Sequence, residues 1–362
     1  MRLIFFTHSL LSDWNHGNAH FLRGLVTELV SRGHTVRSFE PRSGWSITEL
    51  VRDQGPGPIE EVRRIYPALD VTRFEDETTI DLDAALSGAD AVIVHEWTAP
   101  ALVRRIGEAK RAHRFKLLFH DTHHRSVTAE REMAAYDLSA YDAVLAFGEV
   151  IRNLYVTRGW CRRAFTFHEA ADVRVFGPRP DIERELDLVW VGNYGDGERA
   201  RELGTFLLEP VRRLGLRARV YGVRYPDAAL AALKEARVEF GGWLPNFRVP
   251  EAFAQARVTV HVPRGPYAQR LPGIPTIRPF EALACGIPLI SAPWRDDEGL
   301  FRPGEDFLVA RSGDEMAEQL EFVLTNDDVS RRLAENGRNR ILERHTCAHR
   351  ADELLHILER LG

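Results

Sequence analysis

The stretch RLPGIPTIRPFEALACGIPLIS, residues 270–291, leaves the backbone few choices. Pro275 and Pro279 exclude a long helix ahead of Phe280, because each fixes its own φ and lacks an amide donor. Thr276 stands where it can cap the first turn of a short helix that reaches about Cys285. Gly286 ends that helix, Pro288 prevents its resuming, and residues 288–291 read as a buried strand. Loop, short helix, tight turn and strand in this order make one αβ unit of a parallel sheet. The helix N-terminus of such a unit lies at the carboxyl edge of the sheet. There the free amides of Thr276, Ile277 and Arg278 and the helix dipole favour an anion such as a phosphate. Glu281 falls in or just past the first turn. A carboxylate does not attract phosphate, so its expected partner is a neutral diol such as a ribose. The alternative is an ordinary first-turn carboxylate held by the dipole. The spacing predicts a nucleotide diphosphate site.

Three segments carry a family resemblance: PFEALACGIPLIS, GWLPNFRVPEAFAQARVTVHVPR before it and FRPGEDFLVA after it, together spanning residues 241–310. In this order they resemble the C-terminal donor domain of GT-B glycosyltransferases of group 1, especially the family-4-like and CgeB-like groups. The resemblance implies two Rossmann-like, doubly wound parallel-sheet domains facing a cleft, with a C-terminal helix crossing back to the first. The family motif is a pair of glutamates with seven residues between them, the second on the donor ribose. Glu281 matches the second and Gly273 occupies the place of the first, so the contact that glutamate makes to the donor sugar is missing or supplied otherwise. CgeB-like members also tend to lack it.

A chain of 362 residues suits two domains rather than one. With 44% hydrophobic and 28% charged residues and a net charge of -5, nothing global favours nucleic acid as a partner. The only lysines are Lys110, Lys116 and Lys234, in contexts that do not favour Schiff-base chemistry. Cys161, Cys285 and Cys347 show no metal or disulfide spacing, which points to a reducing, cytoplasmic setting. The opening MRLIFFTHSLL reads as a first strand rather than a signal peptide, and no run approaches the ~20 apolar residues of a membrane span.

Along the chain, residues 3–6 form an expected strand that releases His8, Ser9 and the polar loop SDWNHGNAH. A helix with an apolar stripe over 21–30 follows and stops at Gly33, and 34–39 is the next strand. No GxGxxG is present, which argues against a dinucleotide cofactor. Residues 40–80 give only weak periodicity and read as an excursion near the acceptor side. Strands recur at 91–95, 115–120, 143–147 and 164–167, with a helix at 101–112 among the segments between them, the pattern of a parallel sheet. Their carboxyl ends carry His95 and Glu96, His120 and Asp121, Gly148 and Glu149, and His168, Glu169 and Asp172. Ligands of such folds bind beyond those ends. Residues 177–185 read as a linker between a domain at 1–176 and a second at 186–345. In the second, strands are expected at 186–191, 219–221, 238–240 and 258–262, with helices at 199–214, 227–236 and 250–256. Amphipathic helices at 314–324, 328–344 and 348–361 complete the chain, with 346–362 assigned to the first domain.

The loop GNYGDGER places Gly192, Asn193 and Arg199 at the first βα position of the second domain, with Arg201 close behind. It is either a glycine-rich turn or a contact to the donor diphosphate, whose developing charge an arginine would stabilise. Arg264 and Arg270 are further cations for the diphosphate or plain surface charges. Gly17 matches loosely the glycine loop that reaches over the donor in the resembling family. HDTHH could supply a metal pair at His120 and His124, but strand context and the lack of a nearby cysteine argue against it. Asp81 and Asp83 imitate a DxD and are better explained as helix caps. His120 or Asp121 resembles the group that faces the donor sugar in GT-B proteins, the alternative being capping by Asp121 or Thr122. His16 or His20 could serve as general base for an acceptor hydroxyl, or be exposed loop polar residues. Trp14, Trp45 and Trp97 could stack on an acceptor or simply pack.

The resulting expectation is a glycosyltransferase of the hexosyltransferase type. It moves a sugar from a nucleotide-diphosphate sugar, UDP-sugar first, to a small-molecule, glycan or lipid-linked acceptor. No cofactor and no obligatory metal are expected beyond the nucleotide-sugar co-substrate. An epimerase or hydrolase of the same fold, and a non-catalytic sugar-nucleotide-binding or structural protein, are the alternatives.

Overall fold

The computed structural model describes residues 1–195 and 197–362. The chain clusters into two compact units, Met1–Glu169 with Cys347–Gly362, and Ala170–Thr346. The first division thus falls between Glu169 and Ala170, and residues 170–176 go with the second unit.

In the first unit the described residues form a seven-stranded parallel sheet of β1 (Arg2–Phe6), β2 (Thr35–Pro41), β3 (Val71–Phe74), β4 (Ala91–His95), β5 (Lys116–Asp121), β6 (Ala143–Ala146) and β7 (Ala164–Thr166). The order is β3-β2-β1-β4-β5-β6-β7, so it reverses between β1 and β4. The inner strands are apolar runs such as AVIVH, as a sheet covered by helices on both faces requires. Helix Ala19–Ser31 buries Phe21, Leu22, Leu25, Val26 and Leu29, the expected stripe. Residues 40–80 differ from expectation, since they hold helices Trp45–Gln54 and Gly57–Ile65 and the edge strand β3. The segment QGPGP separates these two helices instead of forming a long loop. Gly55, at φ 72, ends the first, and the prolines occupy the start of the second, where a missing amide costs nothing.

The last helix, Cys347–Arg360, packs on this unit as expected. Arg32 pairs with Asp352 at 2.6 Å and donates to the Ala348 carbonyl at 3.0 Å, while Lys116 Nζ donates to the Leu358 carbonyl at 2.7 Å.

The second unit repeats the architecture with β8 (Leu186–Val191), β9 (Ala218–Tyr221), β10 (Glu239–Gly242), β11 (Ala256–His261), β12 (Leu289–Ser291) and β13 (Leu308–Val309), in the order β10-β9-β8-β11-β12-β13. Its reversal lies between β8 and β11. Leu188, Trp190, Val220, Val258, Val260 and Ile290 centre its core. The helix expected over 199–214 is divided by a wide π turn, Gly204–Leu208, between Ala200–Leu203 and Glu209–Leu214. Pro210 has no amide to give the carbonyl one turn back, which accounts for the wider turn.

Helix Ile277–Cys285 and β12 lie where the opening motif puts them, with Gly286 left-handed at φ 68 between them. Thr276 is a correction. It occupies the N-cap position but makes no side-chain cap, and its backbone sits at φ 59, ψ 179. That conformation is nearly reserved for glycine, and such strain concentrates at functional sites. Among the described residues no helix is long and apolar enough to cross a membrane.

Candidate active site

At the β1/β4 reversal of the first unit a loop over residues 8–18 is held by buried charges. Glu40 on β2 accepts the Leu10 amide at 2.6 Å and the Leu11 amide at 3.3 Å. Arg23 donates to the Leu10 carbonyl at 2.6 Å and to Asp13 at 2.8 Å. Trp14 Nε1 donates to Asp53 at 2.9 Å. Tied from three sides in this way, the loop gives His16 a fixed place. Its ring donates to the Ser9 carbonyl, and its Nε2 is buried with no hydrogen-bond partner among the described residues. The proton therefore sits on Nδ1, and Nε2 carries a lone pair.

His16 is one of four imidazoles gathered at the strand ends. Ring centroids lie 5.1 Å apart for His8 and His16, 6.1 Å for His16 and His95, and 5.6 Å for His95 and His120. Burial lowers all four: His8 to about 4 and His95 to about 3, His16 and His120 well below the ordinary value. Neighbouring imidazoles add to the effect at His8, His16 and His120. All four are neutral at pH 7. His95 Nε2 lies 3.1 Å from Thr122 Oγ1 and Nδ1 lies 3.0 Å from Glu96, whose carboxyl burial pushes up to about 8. Asn18 gives its side-chain amide to the same Thr122 hydroxyl.

His120 and Asp121 part company. Successive strand residues face opposite sides of a sheet, so His120 joins the histidines while Asp121 accepts from Tyr155 Oη at 2.8 Å and from the His123 amide at 3.0 Å. Asp121, raised to about 7 by burial and by Glu96, thus serves the packing of helix Glu149–Thr157. His124, which sequence spacing paired with His120, instead lies 2.9 Å from Thr128 Oγ1 through its Nδ1. Among the described residues no group of three or more histidine, cysteine or acidic side chains could hold a metal. Gly17 precedes Asn18, the N-cap residue of helix Ala19–Ser31. Asp81 caps its helix by accepting the Ala84 amide at 3.0 Å. The sequence singled out none of His8, Asn18 and Thr122 as candidates, and listed His95 and Glu96 only as strand ends. Their signal was that they end or follow strands that turn out to be neighbours.

In the second unit, β8 runs into Gly192 and Asn193 at the β8/β11 reversal; Asp196 of the same GNYGDGER loop lies outside the described residues. Arg199 ties the two strand ends together: Nε donates to the Asn193 carbonyl at 3.1 Å, Nη1 to the Val262 carbonyl at 2.9 Å, and the guanidinium lies 5.1 Å over the Trp190 ring. Asn193 Oδ1 accepts the Val223 amide at 3.0 Å. Gly195 lies between Arg264 and Arg199, where a Cβ would come 3.3 and 3.5 Å from their guanidinium nitrogens, and its φ of 76 is the left-handed conformation that glycine adopts without strain. Burial, with repulsion from Arg264 and Arg278, pushes Arg199 down to about 9. Among the described residues two carboxylates face these three cations. Glu198 lies 3.6 Å from Arg264, and the fully buried Glu281 pairs with Arg278 one turn before it. Among the described residues the cluster is left with excess positive charge in a partly buried place, which an anion would relieve.

His261 closes β11 in the same cluster, with Nδ1 2.9 Å from Ser291 Oγ. Arg270 does not join the cluster and is exposed at the end of the short helix Gly265–Gln269. Gly273 has φ 89, and a Cβ built on it would come within 2.8 Å of Glu298 Oε1. A carboxylate from another loop thus stands where the side chain of the missing glutamate would begin. Installing glutamate at 273 is expected to lower stability by about 1–3 kcal/mol, since it adds positive-φ strain and a second carboxylate to an occupied place. A denaturant midpoint unchanged in Gly273→Glu would show that Glu298 and the backbone yield freely.

Residues 199–356 match a family model described as glycosyl transferase-like. Among solved structures, the chain is similar over its whole length to sucrose-phosphate synthase from Thermosynechococcus elongatus, with TM-score 0.70, 14% identity, and 100% of this chain and 99% of that one covered. It is also similar to Anabaena HepE in complex with UDP, at TM-score 0.70 and 12% identity, with 99% and 100% covered. The bacteriophage T4 enzyme BGT in complex with UDP and Mn2+ aligns at TM-score 0.61 and 11% identity, with 100% and 99% covered. No curated protein matches the chain.

Proposed function

We propose that this chain, which belongs with the GT-B glycosyltransferases, moves a sugar from a nucleotide-diphosphate sugar bound by its second unit to an acceptor bound by its first. The observation that carries this reading is the partly buried cluster of Arg199, Arg264 and Arg278 at the β8/β11 reversal, beside the N-terminus of helix Ile277–Cys285. Two features there favour a nucleoside diphosphate: cations and helix amides for the diphosphate, and Glu281 for the ribose. UDP occupies the HepE and BGT structures, which supports a UDP-sugar as donor.

The mechanism is electrostatic. Charge that grows on the departing diphosphate is met by donors already in place, the amides of residues 276–278 and the arginines, so little reorganisation accompanies the reaction. No metal is assigned to this step. Arg199 acts mainly by fixing the two strand ends, because its Nε and Nη1 already bind carbonyls. In the first unit, His16 presents a neutral, proton-free Nε2 as base for the acceptor hydroxyl.

Thermal shifts with UDP, GDP, ADP, dTDP, CDP and their common sugar conjugates test the donor. One nucleotide is expected to stabilise the protein by about 2.7 kcal/mol at a hundredfold excess over its dissociation constant. In Glu281→Gln most of that shift should disappear. Folded wild-type protein that responds to none of them would end the donor-site reading.

A further inference from the structure

His261 lies at the β8/β11 reversal with only 3% of its surface exposed. Its Nδ1 is 2.9 Å from Ser291 Oγ, and that hydroxyl donates to the Ala292 carbonyl at 2.7 Å. A hydroxyl has a single proton. With it given to Ala292, Ser291 can only accept from His261, which places the imidazole proton on Nδ1 and leaves a lone pair on Nε2. That nitrogen is buried and has no hydrogen-bond partner among the described residues. An orphaned buried acceptor is costly, and a bound ligand is one of the few things that explain it.

The surroundings restrict what the ligand group can be. Burial, Arg199 and Arg278 all disfavour protonation, so the ring stays neutral. The diphosphate of a nucleotide sugar carries no proton near neutral pH and cannot donate to a lone pair. The group facing Nε2 must bring its own hydrogen, and with the ribose given to Glu281 two sources remain, an N–H of the base and the hydroxyls of the transferred sugar. The position of His261 beside Arg199 and Arg278, the cations of the diphosphate, favours the sugar.

We infer that His261 Nε2 accepts a hydrogen bond from a hydroxyl of the transferred sugar, which makes His261 a residue that selects the donor sugar. The inference rests on the second unit being the nucleotide-sugar site. Ser291 then acts as a positioning residue, setting the tautomer through a buried contact that the ligand never touches.

Calorimetric titration of wild-type, His261→Leu and His261→Gln proteins with UDP and UDP-glucose, or with whichever nucleotide and conjugate the thermal shifts select, separates the possibilities. His261→Leu is expected to bind the conjugate about tenfold more weakly and the free nucleotide with little change. His261→Gln, whose amide oxygen can reach the place of Nε2, should recover most of the loss. Conjugates that each lack one sugar hydroxyl supply a second measurement. The one missing the contacted group should bind the wild type more weakly but bind His261→Leu no worse than the parent conjugate does. Equal losses for nucleotide and conjugate, or no loss for either, would overturn the assignment while leaving the nucleotide site intact. Wild-type protein that binds no nucleoside diphosphate would instead remove the site on which it rests.

Discussion

Replacement of His16 by alanine is expected to lower sugar transfer about 10²–10⁴-fold, the usual contribution of a positioned general base. The affinity for the nucleotide donor should stay the same. His16 is suited to this role by three features: an anchored loop, a ring proton directed at the Ser9 carbonyl, and burial beside His8 and His95 that keeps Nε2 unprotonated. Since its pKa lies well below 6.5, the rate should not vary with His16 protonation between pH 6 and 8. Release of free sugar from the donor, with water as acceptor, is a readout that needs no knowledge of the natural acceptor. His16→Ala within about threefold of wild type, with His120→Ala impaired instead, would move the base to β5.

The stability of the protein should fall by on the order of 4 kcal/mol between pH 6.5 and pH 5. Five buried imidazoles, those of His8, His16, His95, His120 and His261, have folded pKa values below the ordinary 6.5. In the unfolded chain they take up protons near pH 6.5, whereas the folded chain resists down to about 4 at His8 and about 3 at His95 and His261. The unfolded state therefore binds more protons through that window, and their contribution is complete above pH 6.5 and lost as pH falls. Glu96 and Asp121, raised to about 8 and about 7, act in the opposite sense, because the folded chain keeps their protons when the unfolded chain has released them. Each group is worth about 1.4 kcal/mol per pH unit within its window, and the imidazoles outnumber the carboxyls. Denaturant unfolding at pH 7.5, 6.5 and 5 measures the slope, and His95→Asn should reduce it by about one proton. A flat profile from 6.5 to 5 would mean that these histidines are protonated in the folded protein.

Much of this architecture follows from short-range rules. The helix ending at Cys285 is bounded by Pro275, Gly286 and Pro288, and each acts through its own backbone and immediate neighbours. The inner strands are continuous apolar runs and the helix over 19–31 has a 3.6-residue stripe, patterns that need no knowledge of the partner element. The region 40–80 was harder because its helices are short and β3, at the sheet edge, is only half-buried, so neither shows a strong period.

The site divides in the same way. His16, His120, Arg199 and Glu281 could be nominated from residue type and place in a βα unit, but their partners could not. That His95 meets both His16 and His120 depends on β4 lying between β1 and β5, a matter of strand order. That Arg199 joins Asn193 to Val262 depends on β8 lying beside β11, across 63 residues of chain from one end of the contact to the other. Glu298 reaches the space beside Gly273 because the Gly273 amide binds the carbonyl of Arg295 at 2.7 Å, in a loop of its own. Sequence patterns report which groups a segment can present, since propensity and periodicity act over a few residues. Which groups share one desolvated space, and hence which are neutral, paired or left with an open lone pair, is decided by packing between distant strands and appears only once the sheets are assembled.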